Sequence, residues 1–187
     1  MFYKDLYPHV EALLFASGEP VSSEKIAKII DIPVEHVDDI IFDLKEEYKS
    51  DFHGITIRQV AGGYQMCTKK ELSDTVNKLA LVKEPKLSDS AMETLAIVAF
   101  RQPVTKQEIE FIRGVKTDKI INSLLESKLI KEAGRKDAVG RPILYATTNE
   151  FLTVFGLNSL LDLPKLPENI FPVYEEGEGE EEETEQE

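Results

Sequence analysis

Apolar residues recur at helical spacing through Tyr3, Leu6, Tyr7, Val10, Leu13 and Leu14 and stop at Gly18-Glu-Pro20, predicting a first helix followed by a breaker. Ser22 or Ser23 is placed to cap a short second helix carrying Ile26, Ile29 and Ile30. Pro33 suits the first turn of a third helix, whose buried stripe is Val34, Val37, Ile41, Leu44 and Tyr48. The period then shortens. Ile55-Thr-Ile-Arg-Gln-Val60 and Tyr64-Gln-Met-Cys-Thr68 flank Ala61-Gly62-Gly63, predicting a hairpin with glycines where positive φ is needed, and a closing helix from about Lys69 to Leu79.

The order repeats at an offset of 83 residues. Ala16-Ser-Gly-Glu-Pro-Val-Ser22 lies over Ala99-Phe-Arg-Gln-Pro-Val-Thr105, and Ile26, Ile29, Ile32, Val37 and Ile41 fall on Ile109, Ile112, Val115, Ile120 and Leu124. In the second copy Ser90 with Glu93, and Thr105 with Glu108, have capping-box spacing, while Thr117 is placed to cap a helix bearing Ile120, Ile121, Leu124 and Leu125. Leu129-Ile-Lys-Glu-Ala133 and Pro142-Ile-Leu-Tyr-Ala146 predict two strands, and Thr147 with Glu150 caps a last helix through Phe151, Leu152 and Phe155. Three helices followed by a hairpin describe a winged helix. The expected class is therefore α+β, mainly α: a winged helix at 1–82, a linker at 83–87, a second winged helix at 88–167 and a disordered acidic tail at 168–187.

Composition narrows the function. At 187 residues the chain is too short for a large multidomain enzyme. Acidic residues outnumber basic ones 35 to 22, but nine of the glutamates lie in residues 172–187, so the body holds only 26 acidic against 22 basic residues. The tail has little to bury, which predicts disorder. No apolar stretch approaches the ~20 residues of a membrane span and the start does not read as a signal peptide, so a soluble cytoplasmic protein is expected. The single cysteine, Cys67, excludes an intramolecular disulfide or a multi-cysteine zinc site and reads as a small core residue of a strand. His9, His36 and His53 form no HxxxH or HExxH pair, and His36 with Asp39 gives two ligands at most. GxGxxG, GxxxxGK[ST] and GxSxG are all missing. No catalytic, cofactor-binding or metal-binding residue, no cofactor and no enzymatic activity are expected.

A winged helix suggests a DNA-binding transcriptional regulator, because its third helix often enters the major groove. The first copy argues against that, since its third helix carries Glu35, Asp38, Asp39, Asp43, Glu46 and Glu47 against only Lys45 and Lys49. The second is more balanced: Lys116, Lys119 and Lys128 lie on or beside the third helix, and Arg135, Lys136 and Arg141 mark the wing as a candidate for weak DNA contact. Residues 84–171 hold twelve basic and twelve acidic residues, so any basic patch is local.

Apolar surplus points instead toward protein partners. In Ala91-Met-Glu-Thr-Leu-Ala-Ile-Val-Ala-Phe100 only Glu93 and Thr94 are polar, and with Met92, Leu95, Ala96 and Ala99 on one face, Ile97 and Phe100 point substantially elsewhere. Either the domain wraps this helix or a second apolar face receives a partner. In the first helix Phe2, Ala12, Phe15 and Ala16 widen the stripe in the same way, which fits a symmetric dimer with Phe2, Leu6, Val10 and Phe15 as contact candidates.

The run from Leu87 to Val115, Gly140-Arg-Pro-Ile-Leu-Tyr145, Phe151-Leu-Thr-Val-Phe-Gly-Leu157 and the opening Glu11-Ala-Leu-Leu-Phe-Ala-Ser-Gly-Glu-Pro20 closely resemble bacterial segregation and condensation protein B, over roughly residues 5–167. That resemblance implies a non-enzymatic subunit of the condensin-like SMC complex: a tandem winged-helix homodimer, paired largely through its N-terminal domains. It would bind the central region of the kleisin subunit, segregation and condensation protein A, and through it the SMC ATPase. Chromosome condensation and segregation, and a nucleoid-associated location, follow as expectations. Glu93, Ile97, Phe100 and Arg101, on the helix with the apolar surplus, are the kleisin-binding candidates.

Overall fold

The computed structural model describes residues 4–79, 87–167, 170–172 and 174; Phe2, the linker positions 83–86 and the tail from 175 lie outside the described residues. A 3-10 turn, Lys4–Leu6, leads into α1 (Tyr7–Ser17), followed by α2 (Ser23–Ile30) and α3 (Val34–Glu47). Ser22 is the cap of α2, its hydroxyl accepting the Lys25 N–H at 3.3 Å. These helices close on Val10, Leu14, Ile26, Val37, Ile40, Ile41, Leu44 and Tyr48. Strands β1 (Ile55–Val60) and β2 (Gly63–Thr68) pair antiparallel, and a 3-10 turn (Lys70–Leu72) and α4 (Ser73–Leu79) follow.

The hairpin is tighter than its glycines suggested. Val60 pairs directly with Gly63, so the turn is only Ala61 and Gly62, at φ 50° and 74°, the left-handed pair that a primed two-residue turn requires. Gly63 is needed for space instead: a Cβ there would stand 2.8 Å from the Val21 carbonyl carbon and oxygen. Val21 lies that close because it exchanges both backbone hydrogen bonds with Tyr64, at 2.9 and 2.8 Å.

The second set runs α5 (Asp89–Arg101), β3 (Val104–Thr105), α6 (Lys106–Arg113), α7 (Asp118–Glu126), β4 (Ile130–Arg135), β5 (Ile143–Thr147), α8 (Asn149–Phe155) and a 3-10 turn (Leu160–Asp162). Its sheet has three antiparallel strands in the order β3-β5-β4, with Val104 opposite Tyr145. Val104 is the repeat partner of Val21, so both copies pin the segment before their second helix to a tyrosine on the hairpin. A separate core forms around Leu95, Ile97, Val98, Ile109, Ile121, Leu124, Ile130, Tyr145 and Phe151.

Several caps differ by one or two residues from expectation. Ser88, rather than Ser90, caps α5, and Thr148, rather than Thr147, caps α8. Ser90 and Thr147 have other partners: Ser90 receives Arg113, and Thr147 gives its N–H and hydroxyl to Gln102 Oε1 at 2.8 and 3.0 Å. Thr105 and Glu108 do form a capping box. Thr117 makes no side-chain cap; its N–H donates to Glu110 at 2.9 Å, and its hydroxyl is buried without a partner among the described residues.

The two sets touch where the first hairpin meets the end of α8. Ala61 N–H donates to Leu157 O at 2.9 Å, Gly62 N–H to Asn158 O and Oδ1 at 3.1 Å each, and Arg58 to Thr153 O at 3.3 Å. The stretch expected to be tail from 168 onward also begins in contact, for Phe171 packs on the second core.

Candidate functional site

On α1 the dimer candidates separate. Val10 is fully buried in the first core and Leu6 packs against it, so their side chains are committed to the chain's own fold. Phe15 is 76% exposed and rims a shallow depression with Pro8, Ala12, Ile55 and Met66. Tyr7 and Tyr48 lock α1 to α3 by donating to Asp43 and Glu11 respectively, and Glu11 also lines the depression. The Asp43 carboxylate and partial burial push the Tyr7 phenol up to about 12; burial and then Glu11 push Tyr48 up as well. Both phenols therefore stay protonated donors across the physiological range.

The domain wraps α5 more fully than its composition implied. Ala91, Thr94, Leu95, Ile97, Val98 and Ala99 are buried, and Ile97, a kleisin-binding candidate, is only 3% exposed within the core. Its side chain offers nothing to a partner in this fold. What remains outside is a ridge at i, i+4 and i+8: Met92 (42% exposed), with Ala96 and Phe100 half-buried. Glu93 is exposed beside it and held by Arg113 at 3.1 Å, and Arg101 is exposed at the last turn.

Arg113 itself went unpredicted. From α6 it donates to Ser90 O at 2.6 Å, to Ser90 Oγ at 2.9 Å and to the fully buried Thr94 hydroxyl, fixing α5 against α6. Met92, grouped by the sequence on one face with Leu95, Ala96 and Ala99, is exposed while Leu95 and Ala99 are buried, and its spacing to Ala96 and Phe100 was present in the sequence.

Two of the three wing cations have partners within the chain. Arg135 donates to Arg141 O at 3.0 Å, and Lys136 pairs with Glu108 at 3.1 Å. Burial raises the Glu108 carboxyl, but the Thr105 N–H and hydroxyl and then Lys136 outweigh it, holding Glu108 below the usual range. Nearby, Lys106 pairs with Asp118 and Lys116 with Glu110. In the first copy Glu35, Asp38, Asp39, Asp43, Glu46 and Glu47 are all exposed along α3. Such a face repels phosphates.

Reactive chemistry is sparse among the described residues. Cys67 is half-buried opposite Thr56, and burial pushes its thiol up against the pull of Arg58, which disfavours the nucleophilic thiolate. His36 and Asp39 stand 4.0 Å apart, and no group of three or more His, Cys, Asp or Glu is placed to hold a metal among those residues. No helix among them is long and apolar enough to cross a membrane.

Comparison with known proteins gives consistent matches. The family described as segregation and condensation complex subunit ScpB matches residues 8–166. Segregation and condensation protein B of Moorella thermoacetica is 47% identical over 167 residues, 89% of this chain and 86% of the relative. That of Symbiobacterium thermophilum is 48% identical over 155 residues, 83% of this chain and 71% of the relative. Among solved structures, ScpB from Mycobacterium tuberculosis is 35% identical over 84% of this chain and 98% of its own, with a TM-score of 0.41. A dimer of an ScpB N-terminal domain complexed with an ScpA peptide is 29% identical over 42% of this chain and 98% of its own, also with a TM-score of 0.41.

Proposed function

The chain belongs to the family of segregation and condensation complex subunits named ScpB, and on that premise we propose that it is a non-catalytic, dimeric subunit of the bacterial SMC complex. It binds the central region of the kleisin, segregation and condensation protein A, and through that kleisin serves the SMC ATPase in chromosome condensation and segregation. The observation that carries this reading is 47% identity sustained over 89% of the chain, which takes in both helix-and-hairpin units.

Each unit is read as a winged helix, at 1–82 and 88–167, with 83–87 as linker and 168–187 as an acidic tail; the protein works in the cytoplasm on the nucleoid. The first unit supplies the dimer contact around Phe15, with Phe2 as its extension, and the wrapped positions Leu6 and Val10 support that surface from beneath. The second unit supplies the kleisin contact along Met92, Ala96 and Phe100, flanked by Glu93 and Arg101. Ile97 acts by packing the ridge from below. The acidic α3 disfavours the alternative of a sequence-reading regulator, and Arg135, Lys136 and Arg141 are left at most a weak DNA contact.

Calorimetric titration with the kleisin's central segment tests the assignment. Phe100→Ala is expected to weaken binding about thirtyfold, ~2 kcal/mol, as truncation of an interface aromatic does. Circular dichroism must first show that the variant is folded, and neutralising Arg135, Lys136 and Arg141 together should leave the affinity intact. Full affinity in folded Phe100→Ala removes the ridge from the interface, and loss through the wing variant alone moves the site there.

A further inference from the structure

Helix α4 stands uncovered among the described residues. Every residue from Lys70 to Leu79 is exposed, and neither the 3-10 turn nor the helix has a buried side chain. A seven-residue helix does not hold itself in water, where isolated helices shorter than about 12–15 residues are marginal. Its sequence is amphipathic all the same. Leu72, Val76 and Leu79 recur at i, i+4 and i+7, with Leu79 84% exposed, and Ser73, Asp74, Asn77 and Lys78 occupy the rest of the circumference. Such a helix needs an apolar seat outside itself.

The same unit carries one. The depression of about 280 Å³ beside Phe15 is apolar through Pro8, Ala12, Phe15, Ile55 and Met66, and Glu11 is its one charged lining residue. The helix of the same chain is held away from it, because its root is tied to the loop before β1. Lys69 donates its N–H to Gly54 O at 2.9 Å and its ammonium to Ser50 O at 2.7 Å, and Leu72 N–H returns to Lys69 O at 3.0 Å. Leu72 also lies so close to Gly54 that a Cβ there would stand 3.1 Å from its Cδ1. Strand β2 therefore runs into α4 without slack, and folding back would break these contacts. Across a two-fold axis the arrangement closes: each copy offers one helix and one depression, and both contacts form together. Charge agrees, since the Lys78 ammonium beside Leu79 is the complement of the Glu11 carboxylate.

We propose that α4 is an arm exchanged between two copies of this chain, Val76 and Leu79 of each seating in the Phe15 depression of the other with Lys78 beside Glu11. The proposal rests on the reading of the first unit as the dimer contact, and it names the element that each copy gives its partner. The exchange supplies α4 with the packing that its own unit lacks and covers Phe15 in the same step.

Sedimentation equilibrium of the full chain, as wild type and as Val76→Asp with Leu79→Asp, is the first test. Both positions are exposed, so the body should stay folded by circular dichroism while the dimer dissociation constant rises about thirtyfold or more. A second readout separates exchange from closure within one chain. In a Cys67→Ser background, the Phe15→Cys, Leu79→Cys chain is oxidised with copper phenanthroline and run on a non-reducing gel. A covalent dimer is expected, and neither single-cysteine chain should give one. A monomeric wild type removes the dimer reading and the arm with it. A dimeric wild type whose Val76→Asp, Leu79→Asp variant associates as tightly leaves the dimer standing and overturns the arm. The arm is equally overturned if the two-cysteine chain runs only as monomer, or if Phe15→Cys alone forms as much covalent dimer.

Discussion

Glu108 does three things with one carboxylate. It accepts the Thr105 N–H and hydroxyl that start α6, and it holds Lys136 of the wing at 3.1 Å. Because its folded value lies below the usual 4.5, the stabilisation it brings is complete above that value and is lost as pH falls through the lower folded one. Thermal melts from about pH 5 to about pH 3 should therefore show a shallower acid-side fall for Glu108→Gln than for wild type, with a lower melting temperature for the variant at neutral pH. Parallel acid profiles would show that other carboxylates govern the decline. The capping role of Glu108 was legible, since Thr105 and Glu108 stand at a fixed local spacing. Arg113 was not legible, because its partners Ser90 and Thr94 lie on another helix about twenty residues back, and no local pattern encodes that approach.

Among the elements, those with strong local signals were read correctly: the capped α2 and α6, the apolar stripe of α3, and the first hairpin. The two-residue strand β3 escaped because its only support is a pairing with β5, some forty residues onward. For a related reason the sequence left α5 open between a helix wrapped by its own domain and one with a second apolar face for a partner. With only Glu93 and Thr94 polar in its middle, composition gives almost no sense of which face is inward, and tertiary packing chose Ile97 over Met92. Gly63 offers a test of the shared strand-pinning device. Gly63→Ala should force the Val21 carbonyl away and destabilise the first unit by about 1–3 kcal/mol, read from denaturant midpoints. An unchanged midpoint would mean that the bridge to Tyr64 contributes little. On α1, Phe15→Asp should raise the dimer dissociation constant about thirtyfold or more in sedimentation equilibrium, with the helix content unchanged because the side chain is largely exposed. A dimer as tight as wild type would place the contact elsewhere.

For the molecule as a whole, charge and apolar surface are divided in a way that suits protein partners. The first unit presents an acidic α3 and an exposed Phe15; the second presents the Met92, Ala96 and Phe100 ridge and a wing whose Arg135 and Lys136 already have partners. Hydrogen bonds from Ala61 and Gly62 to Leu157 and Asn158 fasten the two. The repeat made the two helix-and-hairpin sets visible in the sequence, whereas the fastening was invisible, since it joins residues far apart in the chain, mostly through backbone atoms that carry no residue signature.

Light scattering of the eluted species, with the protein alone and after mixing with the kleisin's central segment, bears most directly on the claim that this is a dimeric kleisin-holding subunit. The expected result is a mass twice that of one chain when alone, and a single co-eluting peak heavier by the bound segment after mixing. A monomer whose mass and elution are unchanged by the kleisin segment would contradict it.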